Sequence, residues 1–140
     1  MVITFDTETI RMITLFENLT GTSVKDCLID YSTNTVYFIV DEGKMGMAIG
    51  RNGSSVKNAE RIIGKNIKVF EFSKNLVVFV KNLIQRVEEV RIRNEEGKTV
   101  VEVRVEKKFK PIVIGRDGRK LKIFKQLLQR NHKVHDLIIR

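Results

Sequence analysis

The chain has 140 residues, of which 42% are hydrophobic and 31% charged, with one cysteine and a formal net charge of +9. A fold held by internal disulfides is excluded, since it needs two cysteines, and the frequent apolar residues argue against a largely disordered chain. No segment has the length and apolarity of a membrane span, so we expect a cytoplasmic protein without a membrane partner. The positive charge favours a polyanionic partner such as nucleic acid.

The first half of the chain predicts a helix, a hairpin, a short helix, a glycine loop, a further helix and a last strand. Gly21 suits the end of the first helix, because glycine readily adopts the left-handed conformation of a helix stop. A polar turn at residues 31–34 separates the two hairpin strands. The predicted segments are a helix over 7–19, strands over 24–30 and 36–40, a helix after the glycine loop and a strand over 67–72.

The second half repeats the first with an offset of 65 residues. Ile49-Gly50-Arg51-Asn52-Gly53 recurs as Ile114-Gly115-Arg116-Asp117-Gly118. The apolar stripe of the following helix recurs too: Val56, Ala59, Ile62 and Ile63 correspond to Leu121, Phe124, Leu127 and Leu128. The predicted segments are a helix over 73–86 with Ser73 as its N-cap, strands over 87–93 and 101–105, a helix after the second loop and a strand over 134–139.

This order of elements predicts an α+β fold in two tandem units. Each unit should have a three-stranded sheet with its helices on one face, because the alternating apolar residues of the strands need one covered face. We place the units at residues 1–72 and 73–140, with almost no linker between Phe72 and Ser73.

A glycine loop that opens a helix is suited to binding a phosphate. The amino end of a helix presents unpaired N–H groups and the positive end of the macrodipole. Glycine lets a phosphate approach the backbone closely, and it adopts the positive φ angles of a sharp turn between helices. The adjacent arginines Arg51 and Arg116, together with the nearby basic residues Lys57, Arg119, Lys120 and Lys122, add charged donors.

The apolar residues before each loop are candidates for a floor under unstacked bases, although most of them must also serve the core of so small a unit. The residues concerned are Met47, Ala48 and Ile49 in the first copy and Ile112, Val113 and Ile114 in the second. The candidate RNA-binding residues are therefore Ala48, Ile49, Gly50, Arg51, Asn52, Gly53, Lys57, Val113, Ile114, Gly115, Arg116, Asp117, Gly118, Arg119, Lys120 and Lys122.

The two glycine loops resemble the signature loop of KH domains, and the helix-first order of each unit resembles the type II, prokaryotic arrangement. Two such domains in tandem resemble the family of archaeal NusA-like transcription termination and antitermination proteins. This resemblance implies binding of single-stranded RNA during transcription, with about four nucleotides held by each domain. It makes the transcription machinery a further candidate partner. We expect a monomer without a cofactor or catalytic activity.

The two units differ in charge. Residues 1–72 have eight lysines and arginines against nine acidic residues, a net charge of −1, and residues 73–140 have 18 against eight, a net charge of +10. Most of the affinity from counterion release should therefore come from the second unit. Asp117 opposes this, because a carboxylate beside a phosphate repels it unless its side chain points to solvent; the alternative role for Asp117 is to cap the following helix.

Other readings of the sequence remain open. The same clamp would serve ribosome assembly or RNA decay, and the nearly neutral first unit would suit a protein-interaction scaffold that has lost its RNA. We expect no metal site, because His132 and His135 lie at the entry to a predicted strand, where residues three apart point to opposite faces. The paired glutamates at 88–89 and 95–96 fall on a predicted hairpin and indicate exposed charges rather than an acid/base pair.

Overall fold

A computed structural model describes residues 5–140, which fall into two compact units, one ending at Ser73 and the other beginning at Lys74. Each unit is α+β and contains one three-stranded sheet. Among the described residues, no helix combines the length and apolarity that crossing a bilayer requires.

The glycine loop of the first unit lies in the connection between two parallel strands. The unit consists of α1 (Thr7–Thr20), β1 (Val24–Asp30), β2 (Thr35–Val40), α2 (Met45–Ile49), a 3₁₀ turn (Arg51–Gly53), α3 (Ser54–Ile63) and β3 (Asn66–Glu71). The sheet order is β1-β2-β3, with β1 antiparallel and β3 parallel to β2. Parallel neighbours need a long crossover, which here is formed by α2, the turn and α3.

Local interactions fix both ends of α1, and the stop at Gly21 is the one that the sequence predicts. The Asp6 carboxylate accepts a hydrogen bond from the Thr9 amide at 2.8 Å, and this bond lowers the pKa of Asp6. At the other end Gly21 has a left-handed φ of 71°, and its amide donates to the carbonyl of Glu17. The helix between these caps places Met12 and Phe16 in the core, where Phe16 stacks on Phe38 of β2 with 4.2 Å between ring centroids.

The second unit repeats this topology. It consists of α4 (Leu76–Leu83), β4 (Val87–Glu95), β5 (Lys98–Val105), α5 (Lys110–Ile114), a 3₁₀ turn (Arg116–Gly118), α6 (Arg119–His132) and β6 (Asp136–Ile139). The sheet order is β4-β5-β6, again with one antiparallel and one parallel pair. Its buried residues include Phe79, Val80 and Leu83 of α4, Val101 and Val103 of β5, and Leu127 and Leu128 of α6.

Two helices of the second unit depart from the predicted pattern. Helix α4 begins after Asn75, whose side chain accepts from the Val78 amide at 3.1 Å, so the prediction of Ser73 as the N-cap is wrong. Helix α6 has 14 residues where α3 has 10. Gly64 ends α3, whereas α6 continues to Lys133 before it reaches a left-handed residue.

The longer α6 also breaks the 65-residue repeat. Val36 of β2 pairs with Ile67, and the corresponding Val101 of β5 pairs with Leu137, which lies 70 residues after Ile67. The two sheets keep the same register because the extra residues are absorbed by the helix and its exit.

Candidate nucleic-acid interface

The two glycine loops have the same backbone conformation. The first glycine has φ 77° and ψ 174° at Gly50, and φ 77° and ψ 170° at Gly115. The last glycine is left-handed in both loops, with φ 74° at Gly53 and φ 72° at Gly118. The two loops therefore form the same turn, although their third residues and the flanking helices differ in sequence.

The first glycine of each loop is required by close contact with the next helix. A β-carbon placed on Gly50 would clash with the hydroxyl oxygen of Ser55 and lie 2.7 Å from the Ser55 amide nitrogen. On Gly115 it would lie 3.0 Å from the amide nitrogen of Lys120. Since backbone atoms at the start of a helix cannot move aside cheaply, only glycine fits these positions.

The third position of each loop requires a residue that tolerates the left-handed region. Asn52 has φ 55° and Asp117 has φ 57°, and asparagine and aspartate are the residues other than glycine most often found there. The N-cap of α6 is Gly118, and no side chain caps that helix. The alternative in which Asp117 caps α6 is therefore wrong, and its residue type fits the backbone conformation of the loop.

The amino ends of α3 and α6 carry no side-chain cap. Inside each turn the last glycine amide donates to the first glycine carbonyl, at 3.2 Å in both loops. The second and third loop residues, Arg51 and Asn52 in one unit and Arg116 and Asp117 in the other, are exposed. The arrangement offers an anion the positive end of a helix dipole with an exposed arginine beside it.

The basic residues around the loops are available to a ligand. Lys57 reaches back toward the loop, with its Cε 3.6 Å from where a β-carbon of Gly53 would lie. Lys57, Lys120 and Lys122 are exposed, and Arg119 is half-buried. Within residues 5–140, no carboxylate forms an ion pair with the basic candidates Arg51, Lys57, Arg116, Arg119, Lys120 and Lys122.

The arginines of the second sheet behave differently, because carboxylates neutralise them. Glu89 lies opposite Arg104 in the strand register and forms an ion pair with it at 3.4 Å. Arg91 donates to Glu89 at 2.9 Å, and this hydrogen bond lowers the pKa of Glu89. Glu102 contacts Arg93 at 3.0 Å and Arg140 at 3.5 Å. The unpaired positive charge of the second unit therefore includes the cluster at its loop.

The apolar candidates divide into core and surface residues. Ala48 is fully buried and Val113 is 6% exposed, so their side chains belong to the core. Ile49 and Ile114 are half-buried. Met47 precedes Ala48 in the first unit, and Ile112 precedes Val113 in the second. The exposed fractions of Met47 and Ile112 are 51% and 62%. A base near either loop would therefore meet these two exposed side chains rather than the buried Ala48 or Val113.

The histidines serve the fold of the second unit. His132 is the last residue of α6 rather than part of a strand entry, and its ring lies 5.2 Å from that of Phe79. His135 accepts a hydrogen bond from the Thr99 amide at 3.1 Å. Among the described residues, no group of three histidine, cysteine or carboxylate side chains is arranged to hold a metal ion.

Comparison with known proteins assigns the chain to a family. A family model described as "KH domain" matches residues 10–89, from within α1 to the start of β4. A relative from Methanococcus vannielii, named "Probable transcription termination protein NusA", is 37% identical over 86% of this chain and 70% of its own length. The chain belongs to the archaeal NusA-like proteins of the KH domain family. A second NusA relative, from Halococcus morrhuae, is 32% identical over 98% of both chains.

The NusA-like fold also agrees with a solved structure. The chain described as "Crystal structure of APE1850" matches with a TM-score of 0.79 at 33% identity, over 97% of this chain and 100% of that chain.

Replacement of the first glycine tests the packing of the loop in this NusA-like protein. Gly50→Ala should lower the free energy of unfolding by about 1–3 kcal/mol for the backbone angles of φ 77° and ψ 174°, and by roughly 1–3 kcal/mol more for the clash with Ser55. Urea unfolding followed by circular dichroism measures both. Gly43→Ala is the matched control, since Gly43 has φ 81° with nothing within 4 Å of an added β-carbon. Equal losses in the two variants would contradict the close-contact account.

Proposed function

We propose that this chain binds single-stranded RNA in transcription termination and antitermination. In this proposal residues 1–72 and 73–140 are two tandem type II KH domains, and each holds the RNA backbone at its Gly-x-x-Gly loop. The observation that carries the proposal is the repeated loop, built twice with backbone angles that agree within a few degrees. Six curated relatives share the name of a probable transcription termination protein.

The topology of each unit supports the type II assignment. In both, a helix comes first, an antiparallel hairpin follows, and two helices joined by the loop lead to a strand parallel to the second hairpin strand. The family model covers the first unit most fully. The second unit is assigned on its equivalent strand pairing and on its loop.

In the proposed complex, the contacts at the loop are electrostatic and the contacts beside it are apolar. A phosphate oxygen approaches the amino end of α3 or α6, where the missing β-carbons leave the backbone open. Arg51 or Arg116 then donates to the phosphate from the exposed second position of the loop. An unstacked base lies against the neighbouring apolar surface, to which Met47 and Ile112 contribute.

The two loops should contribute unequally to affinity. The first unit has a net charge of −1 and the second +10, while their loop backbones match. The second loop should therefore supply most of the salt-dependent attraction, although Asp117 weakens it locally.

Alternative functions are less well supported. A scaffold with a degenerate first domain does not explain why the first loop has kept two positive-φ glycines and an exposed arginine. Ribosome assembly or RNA decay would use the same clamp, but the names of the relatives favour transcription. The transcription machinery is the corresponding protein partner in this proposal, and a cytoplasmic monomer its expected form.

Exchange of the third loop residue tests whether a phosphate sits at the loop. Asp117→Asn should strengthen binding of a labelled 12-nucleotide RNA at low salt by roughly threefold to tenfold, because a charge about 4 Å from a phosphate contributes on the order of 1 kcal/mol in water. Asn52→Asp should weaken binding by a similar factor. Both residue types tolerate the left-handed conformation, so the loop keeps its shape. Fluorescence anisotropy measures the affinities.

The control for this exchange is Glu96→Gln, which removes one negative charge from the exposed β4–β5 turn of the second unit, where φ is 52°. It should change the affinity by less than about twofold, because the eight residues of β5, at about 3.3 Å each, separate this turn from the end of the strand that leads to α5 and the loop. If Glu96→Gln matches the effect of Asp117→Asn, net charge rather than the loop governs binding.

The salt dependence of binding tests the inequality of the two loops. Changing Arg119, Lys120 and Lys122 together to glutamine should reduce the slope of log K against log salt by up to about 2, since each phosphate contact to a single strand contributes about 0.7. Lys57→Gln should reduce it by at most about 0.7 on the same basis. Titrations between 50 and about 300 mM KCl give both slopes. Equal reductions would show that the first loop carries as much of the charge-dependent binding as the second.

A further inference from the structure

A cationic and aromatic cluster lies at the start of α5 in the second unit, and we call it the Phe109 patch: Arg86, Lys107, Lys108, Phe109 and Lys110. The Arg86 guanidinium carbon lies over the Phe109 ring, 3.9 Å from its centroid, and the Lys108 ammonium lies 5.1 Å from that centroid. Two turn hydrogen bonds fix the segment, from the Phe109 amide to the Glu106 carbonyl at 2.9 Å and from the Lys110 amide to the Lys107 carbonyl at 3.3 Å. The patch is therefore an ordered part of the surface.

Arg86 occupies a position that favours glycine. Its φ is 63°, whereas Ser23, which holds the equivalent position before β1 in the strand register, does not have a positive φ. A side chain other than glycine, asparagine or aspartate in this region costs free energy, and such costs concentrate at functional positions. The first unit has no positive φ at this position. In the second unit, the residue that carries this conformational cost also places an exposed guanidinium over an aromatic ring.

The lysines of the patch lack the neutralisation seen on the sheet. In the described part of the chain, Lys107 and Lys110 form no ion pair. Lys108 forms an ion pair with Glu106 at 3.7 Å, and the side chains of both residues are more than half exposed. The corresponding segment of the first unit, residues 42–45, has one acidic residue and one lysine, where the second unit has three lysines. There the Gly43 amide donates instead to Glu71 at 3.4 Å. The Phe109 patch thus belongs to the second unit alone.

We propose that the Phe109 patch is an additional contact for single-stranded RNA, outside the glycine loop of the second unit. A nucleobase stacks on the outer side of the Arg86 guanidinium, whose inner side lies on Phe109, and Lys107 and Lys110 hold the adjoining phosphates. The four residues of α5 after Lys110 join the patch to the second loop and rise about 1.5 Å each, so one continuous strand can reach both. The inference rests on the proposed function and lengthens the RNA footprint of its second loop.

The test compares long and short RNA in the full chain. Labelled single-stranded RNAs of four and 12 nucleotides are titrated by fluorescence anisotropy against the wild type, Arg86→Gly and Lys107→Gln/Lys110→Gln. Arg86→Gly relieves the backbone cost of the positive φ, so folding should be kept, and thermal unfolding checks this. Lys81→Gln removes an exposed charge of α4 and is the control. Arg116→Asp reports on the loop itself.

The expected result is a loss of about fivefold or more for the 12-nucleotide RNA in both patch variants, with less than about twofold change for the four-nucleotide RNA and for Lys81→Gln. If the two patch variants lose no more affinity than Lys81→Gln does, while Arg116→Asp weakens binding, the patch is not an RNA contact. The proposed function would then still hold. Equal losses for both RNA lengths would also overturn the patch contact. If the wild type binds neither RNA, the proposed function fails as well. Competition by polyglutamate as strong as by RNA would point to an acidic protein partner and overturn the RNA assignment.

Discussion

The fit of a glycine against the backbone of the following helix is the contact on which both loops depend. At Gly50 the next helix leaves no room for a β-carbon beside Ser55, and Gly115 stands in the same relation to Lys120. This contact brings the turn onto the amino end of a helix of at least 10 residues, where the peptide dipoles make the backbone electropositive. Phosphate binding needs that exposed helix end. The electrostatic attraction of a phosphate therefore depends on the packing of one glycine.

The two units keep this geometry while differing in charge, which separates shape from affinity. The first unit is nearly neutral and the second strongly basic. In the second, the arginines of the sheet are occupied by Glu89 and Glu102, while the cations near the loop and the Phe109 patch remain largely unpaired. The unpaired positive charge of the second unit therefore favours attraction of a polyanion to that unit.

Much of this arrangement follows from the sequence because it depends on local rules. Glycine at position 21 and the repeated loop predict where helices stop and restart, and the alternating valines of β5 predict a sheet with one covered face. The length of α6 could not be predicted, since no glycine matches Gly64 and the helix runs on to Lys133. Periodicity also cannot separate core from surface in a five-residue helix, which is why Ala48 entered the candidate set although it is buried.

The central claim is that RNA phosphates rest on the backbone amides at the start of α3 and α6. An amide-resolved nuclear magnetic resonance titration of the whole chain with short single-stranded RNA tests it most directly. The account predicts that the largest shift changes occur at the amides of residues 50–55 and 115–120. Largest changes on the strands β4 and β5, with both loops unmoved, would contradict it.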